Sequence, residues 1–313
     1  MRRRAILLPA GALIAALAGA APQPQQAPSP ATSLWIDDPN DRARVRVEAV
    51  AGIAEPSDLL FVNGELYTIS DSFRHLFLLR FDPQDGSLRP PERMAIPGLP
   101  NADLEALSRL ASGEVLVASE TDGTVFVLHP FPERVCAVWS TGVAGSCFFG
   151  EANCGMEAMA VLPDQRLFVA KERDPRGAWT LDLPSVACGP ASLTGRTYLT
   201  LPEETGPDIG AATLDPVTGH LLIVARSRQA VLELEVPPAT PGDTSPRPLR
   251  LLGRFSYART EDLLDYAGLD FHQVEGIAID ARRTLYLAVD GNNRQSRYLG
   301  GKKGALLRFF APG

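Results

Sequence analysis

QVEGIAIDARRTLYLAVD, residues 273–290, holds two short runs of β-branched, aromatic and small side chains around a polar loop, Ala281–Thr284. Glu275–Asp280 and Leu285–Asp290 have the length and composition of strands, and so short a loop makes them a hairpin. Closing the loop in its simplest register sets Ile279 opposite Tyr286, Ile277 opposite Ala288 and Glu275 opposite Asp290. Like charges directly across a rung destabilise a sheet, so this last pairing needs a cause.

Variants of the phrase recur at intervals of about fifty residues. DLEALSRLASGEVLVASE, residues 103–120, sets Glu105 against Glu120, and GMEAMAVLPDQRLFVAKE, residues 155–172, sets Glu157 against Glu172. Two charges about 5 Å apart repel by about 1 kcal/mol in water and about 3 kcal/mol at an effective dielectric near 20. Water, a shared proton, a neighbouring Arg or Lys, or a bound cation would each offset that repulsion.

Two copies depart from the pattern. SDLLFVNGELYTISDSFRHLFLLRFD, residues 57–82, turns at Asn63-Gly64, and aligning Gly64 with Gly113 leaves Pro56, without a carboxylate, in the opening position. DIGAATLDPVTGHLLIVARSRQAVLELE, residues 208–235, carries Gly210 and Arg226 at the two carboxylate positions, with Asp208 two residues ahead of Gly210. An arginine on a ring of carboxylates is either their internal counter-ion or the anchor of an anionic ligand.

Five copies of a hairpin plus a third strand, with no helical periodicity between them, describe an all-β chain folded as a β-propeller. The first carboxylate of each copy would open an innermost strand and face the central channel. The last copy lacks an outer strand, and Val45–Val50 is placed to supply it, closing the ring with the N-terminal strand. The count is five blades, and the interval between Glu235 and Gln273 leaves room for a sixth.

Ahead of the repeats, Arg2–Arg4 precede an apolar and small run, Ala5–Ala20, so residues 1–20 read as a secretory signal peptide. The run is short for a spanning helix, which leaves no membrane span after cleavage, although an uncleaved signal would anchor the chain to the inner membrane. Residues 21–44, rich in Pro, Gln, Ala and Ser, read as a disordered linker, and residues 45–313 as the propeller domain. The expected location is the periplasm or the exterior. Losing the three signal arginines would take the net charge from −7 to −10, which excludes nucleic acid as a partner.

An exported chain is expected to pair Cys136, Cys147, Cys154 and Cys188 as two disulfides, with three connectivities open. Their spacings match no zinc site. There is no G-x-S-x-G elbow, and His75, His129, His220 and His272 show no partner spacing for nucleophilic hydrolysis. Thr260–Tyr266 could form one helical turn. Glu105, Glu120, Glu157, Glu172, Glu275 and Asp290 are hard oxygen donors without imidazole or thiolate, a set suited to calcium.

The phrases EALSRLASGEVLVASE, EAMAVLPDQRLFVAKERDPRG, DIGAATLDPVTGHLLIV and VEGIAIDARRTLYLAVD resemble the SdiA-regulated family, the periplasmic propellers also grouped as YjiK/CarP. The resemblance spans roughly residues 45–313, and the family is similar to phytase-like propellers. It implies association with calcium and carries no settled enzymatic activity. This chain departs from it at Ala106 and Ala158, where the family has Gly, and at Arg226, where an acidic or polar residue is common.

Two readings follow. One is a non-enzymatic calcium-binding propeller that senses, buffers or balances calcium. The other is a calcium-dependent phytase-like phosphoesterase in which Lys171, Arg173 or Arg226 neutralises a phosphate. Arg226 could equally hold an anionic small molecule, and a protein-interaction platform is a third possibility.

Overall fold

Each copy of the repeat becomes one antiparallel meander, and five meanders stand around a central channel as the blades of a propeller. The computed structural model describes residues 45–50, 53, 55–70, 73–99, 103–120, 123–143, 155–172, 177–240, 245–257, 273–290 and 304–310. Residues 1–20 and 21–44, read above as signal and linker, lie outside the described residues, as do Cys147, Cys154, Arg173, His272 and the stretch Thr260–Tyr266.

From the channel outward, blade 1 runs Pro56–Val62, Glu65–Ser70, Phe73–Leu79 and Glu92–Ala95. Blade 2 runs Leu104–Arg109, Val115–Ser119, Thr124–Leu128 and Val135–Ser140. Blade 3 runs Met156–Val161, Arg166–Lys171, Ala178–Asp182 and Thr194–Thr200. Blade 4 runs Ile209–Leu214, Leu221–Ala225, Ala230–Glu235 and Arg250–Ser256. The interval after Glu235 therefore supplies the outer strand of blade 4, and the propeller has five blades.

Blade 5 takes Val274–Ile279, Leu285–Val289 and Gly304–Phe309 from the C-terminal end and its outer strand, Val45–Val50, from the N-terminal end. That strand pairs antiparallel with Gly304–Phe309, Val45 against Phe309 through Val50 against Gly304. Ring closure is thus made by the strand the sequence placed there.

The core is divided five ways, one buried apolar cluster between each pair of neighbouring blades. Every sheet is therefore covered on both faces. This explains why second strands such as VLVAS at Val115–Ser119 are buried along their whole length instead of alternating. Small residues crowd the inner strands for a related reason. A Cβ on Gly276 would lie 2.9 Å from both the Ala288 Cβ and the Asp58 Cα of the next blade.

Two loop segments reach back to the preceding blade. Ala191–Ser192 pairs in parallel with the outer strand of blade 2, and Arg247–Pro248 with that of blade 3. A disulfide, Cys136–Cys188, ties the first of these loops to the same outer strand across 52 residues of sequence. Among the described residues no cysteine is free. Among them, too, no helix is long and apolar enough to cross a membrane.

The hairpin register differs by one residue from the simplest closure. Thr284 belongs to the ladder, where its carbonyl accepts the Asp280 N–H at 3.1 Å, so the loop has three residues and ends on Arg283 at a φ of 62°. A three-residue loop closed by a left-handed residue is a standard hairpin connection, and it pairs Ile279 with Leu285 and Ile277 with Leu287. Blades 2 and 3 do the same, with Gly113 and Gln165 at positive φ.

Candidate functional site

A bulge interrupts every inner strand near its start. The ladder skips Glu105 between Leu104 and Ala106, Glu157 between Met156 and Ala158, Gly210 between Ile209 and Ala211, and Glu275 between Val274 and Gly276. In blade 1 the irregularity spans Ser57 and Asp58. A bulge adds an unpaired residue and re-aims its side chain. Glu105, Glu157 and Glu275 are consequently not opposite Glu120, Glu172 and Asp290, which corrects the rung pairing inferred from the sequence.

The residues that do face the second set lie two positions earlier. The N–H groups of Glu120, Glu172, Arg226 and Asp290 donate to the carbonyls of Asp103, Gly155, Asp208 and Gln273 at 2.8–3.1 Å. Each blade so places up to three polar side chains at one channel mouth, one before the strand, one in the bulge and one after the second strand.

Arg226 dominates one part of this mouth. It is 2% exposed, and its guanidinium forms ion pairs with Glu157 at 3.2 Å, Asp208 at 2.7 Å, Glu275 at 2.9 Å and, in a short contact, Glu172. Blades 3, 4 and 5 all contribute. Gly210 is what admits it. A Cβ there would lie 2.9 Å from the Arg226 Cγ and Cδ and 2.3 Å from the Val274 carbonyl oxygen. The replacement of two acids by Gly210 and Arg226 is thus one coupled change. Burial works against the guanidinium charge, but the surrounding carboxylates prevail and hold its pKa above the ordinary value.

One guanidinium is insufficient for so many acids. Burial holds the Glu157 carboxyl well above the usual range despite Arg226, with Glu172, Glu275 and Glu120 adding repulsion.

The remaining part of the mouth gathers Asp103, Glu105 and Glu120, each with one carboxylate oxygen within 4.8 Å of the others. Glu120 also joins Glu157 and Glu172 in a second group of the same spacing. Glu105 and Glu120 are buried, and Asp103 is half-buried. Burial raises Glu120 to about 7, reinforced by Asp103 and Glu172 and opposed by the Gly155 N–H, which donates to its Oε1 at 2.8 Å. Gly155 lies against Glu120 so closely that a Cβ would meet its Cγ at 2.5 Å.

The six carboxylates singled out from the sequence therefore divide. Glu105 and Glu120 gather with Asp103, Glu120 also meets Glu157 and Glu172, and Glu275 joins Glu157 and Glu172 around Arg226. Asp290, 7% exposed, belongs to neither compact group. Asp103 was not singled out, although it stands before Glu105 as Asp208 stands before Gly210. Lys171 is buried, which lowers its pKa.

Asp58 was missed as well, because the alignment on Gly64 stopped at Pro56. The turn at Asn63-Gly64 is shorter than those of blades 2 and 3, so matching turn glycines slides blade 1 along its strand. Fully buried, Asp58 accepts the N–H groups of Leu59 at 2.8 Å, Leu107 of blade 2 at 2.6 Å and Ile277 of blade 5 at 3.3 Å. Burial nonetheless raises its pKa well above the usual value. It stitches three inner strands together.

No curated protein sequence matches the chain. Among solved structures it is similar to a glutaminyl cyclase from Myxococcus xanthus, with 14% identity, 86% of this chain and 97% of that chain covered, and a TM-score of 0.51. It is also similar to a putative gluconolactonase, with 12% identity, 90% and 84% covered, and a TM-score of 0.46. These likenesses concern the fold alone. A family model described as "Phytase-like: Esterase-like activity of phytase" matches residues 49–293, most of the chain, and the protein belongs to that phytase-like family.

Proposed function

We propose that the channel mouth binds one calcium ion through Asp103, Glu105 and Glu120, and that the protein is an exported, non-enzymatic calcium-binding propeller of the SdiA-regulated type. The observation that carries this reading is the grouping of those carboxylates within 4.8 Å. Oxygens held on one calcium ion at 2.3–2.6 Å can be no more than about 5 Å apart, so the spacing suits a shared ion. The donors are all hard oxygens, which favours calcium over zinc or copper. A cation would also take the place of the proton that burial otherwise holds on Glu120.

Arg226 supports the non-enzymatic side. Phosphoryl chemistry needs cationic groups free to meet the anion. Arg226 is instead held by Glu157, Glu172, Asp208 and Glu275. A calcium-dependent phosphoesterase is the second reading, and the description of the family model favours it. In that case the ion would polarise the ester, while Glu120, with a pKa of about 7, would hold or release a proton beside it.

The test is calorimetric titration of chelator-treated protein with calcium and with magnesium, alongside a panel of phosphate esters. One calcium bound per chain, weakened at least tenfold by Glu105→Gln, is the expected result. Absence of binding would overturn the site. Turnover of an ester, lost with chelator, would replace the non-enzymatic reading with the second one.

A further inference from the structure

The inner strands begin at the carboxylate mouth and end, five or six residues on, at their hairpin turns. At about 3.3 Å per residue the turns lie well over 10 Å away, at the other end of the channel. There the turns of blades 1, 4 and 5, with Arg109 at the end of the blade 2 inner strand, border a cavity of about 890 Å3. Its size is within the range of small-molecule sites.

The lining has two components. Phe61, Phe81 and Tyr286 make an aromatic wall, with ring centroids 5.1 Å apart for Phe61 and Tyr286 and 6.0 Å for Phe81 and Tyr286. Around it stand Arg80, Arg89, Arg109 and Arg282 against the acids Glu65 and Asp280, an excess of positive charge in a chain whose net charge is −7.

Two of these arginines are already held. Arg80 pairs with Glu65 and Glu92, and Arg89 with Asp82. The other two enter no ion pair among the described residues. Among the described residues Arg109 donates to the Asn63 Oδ1, at 3.3 Å, and its Nε is shielded from solvent without a hydrogen-bond partner. Arg282 makes no side-chain ion pair among the described residues. Asp280, its neighbour, is occupied by its own turn, where it accepts the N–H groups of Arg282 and Thr284 at 2.9 and 2.8 Å and the Tyr286 hydroxyl at 3.3 Å.

Guanidinium groups recognise planar or tetrahedral oxyanions through paired N–H donors. The aromatic wall lining the cavity beside them, with Phe61 and Phe81 half-buried and Tyr286 buried, suits an apolar body on the same molecule. We infer that this cavity binds a small organic anion, its oxyanion held by Arg109 and Arg282 and its apolar or aromatic body lying against Phe61, Phe81 and Tyr286. The site is separate from the calcium mouth and does not depend on it.

The experiment titrates the intact protein with 4-phenylbutyrate, 4-phenylbutyl phosphate, 4-phenylbutanol and inorganic phosphate. Either organic anion is expected to bind at least tenfold more tightly than the alcohol and than inorganic phosphate, and the better of the two identifies a carboxylate or a phosphate head. The double variant Arg109→Met, Arg282→Met should erase the preference over the alcohol while keeping the melting temperature. The single variant Arg282→Met, at an exposed turn, gives a partial loss if the double variant fails to fold. Glu105→Gln should leave anion binding unchanged, so failure of the calcium site and failure of this one are told apart. Equal binding of the alcohol, unchanged affinity in the arginine variants, or no binding of either anion would overturn the inference.

Discussion

Blades 2 and 4 carry the same bulge at the same point of the inner strand, yet one fills it with Glu105 and the other with Gly210. In blade 4 the vacancy admits the Arg226 stem, and the acids of blades 3, 4 and 5 are drawn onto one internal cation. In blade 2, Asp103, Glu105 and Glu120 crowd together, and burial lifts the Glu120 pKa to about 7. One backbone device thus supports two answers to like-charge repulsion. Where a guanidinium is built in, it offsets much of the repulsion, although Glu157 stays raised beside it; where it is not, the same geometry is left to a proton or a metal.

The largest expected effect comes from removing the built-in answer. Arg226→Met leaves buried acids without their partner, and breaking a buried pair in this way costs about 3–5 kcal/mol. Urea unfolding of the metal-free protein would measure it. A loss below about 1 kcal/mol would mean that water already screens this half as well as the other, and the contrast would be gone.

Calcium should act on the opposite half. At a hundred times Kd it should add about 2.7 kcal/mol, or about 5–10 °C in melting temperature at the few degrees per kcal/mol typical of a domain this large. Glu105→Gln and Glu120→Gln should abolish the shift, whereas Glu275→Gln, on the arginine side, should leave most of it. An equal response in all three would show that the mouth is a single ring.

Gly210→Ala should cost about 1–3 kcal/mol, as overpacking does, because its methyl would meet the Arg226 stem and the Val274 carbonyl. If the Arg226 stem can swing aside, only the clash with the Val274 carbonyl remains, and a cost that is the same in the Arg226→Met background would show that the coupling between Gly210 and Arg226 is loose. Denaturant midpoints decide it.

The last effect is a slope with pH. Glu120 ionises near the ordinary 4.5 when unfolded and near 7 when folded. Between these values the folded state holds the extra proton, so Glu120 contributes stability that falls as pH rises from 4.5 to 7. One proton gives at most about 1.4 kcal/mol per pH unit. Melting of the metal-free protein should show this slope, and Glu120→Gln should flatten it. Saturating calcium should flatten it too, since the metal needs the ionised carboxylate. A stability that climbs across this window would reverse the assignment.

Much of this was legible in the sequence. The repeat, the closing role of Val45–Val50 and the oddity of Arg226 all rest on residue types at fixed spacing, which folding preserves. The bulges were not legible, because strand alternation counts residues and carries no sign of one that drops out of the ladder. That hidden residue moved the rung from Glu105 to Asp103. The divided mouth escaped for another reason, since which acids Arg226 reaches depends on how three blades converge. The cavity at the turns was invisible too, being assembled from four separate blades.

The closing strand has a kinetic consequence. Val45 pairs with Phe309, so the contact that completes the ring joins positions 264 residues apart. Bringing such distant ends together in a featureless chain would cost about 5 kcal/mol beyond the constant for any loop. Blades that form in succession shorten that search, because each one carries the C-terminal end closer to the waiting N-terminal strand. The first segment of the propeller to be synthesised is therefore the last to find its partner, and until it does Gly304–Phe309 presents an open edge to any extended peptide nearby.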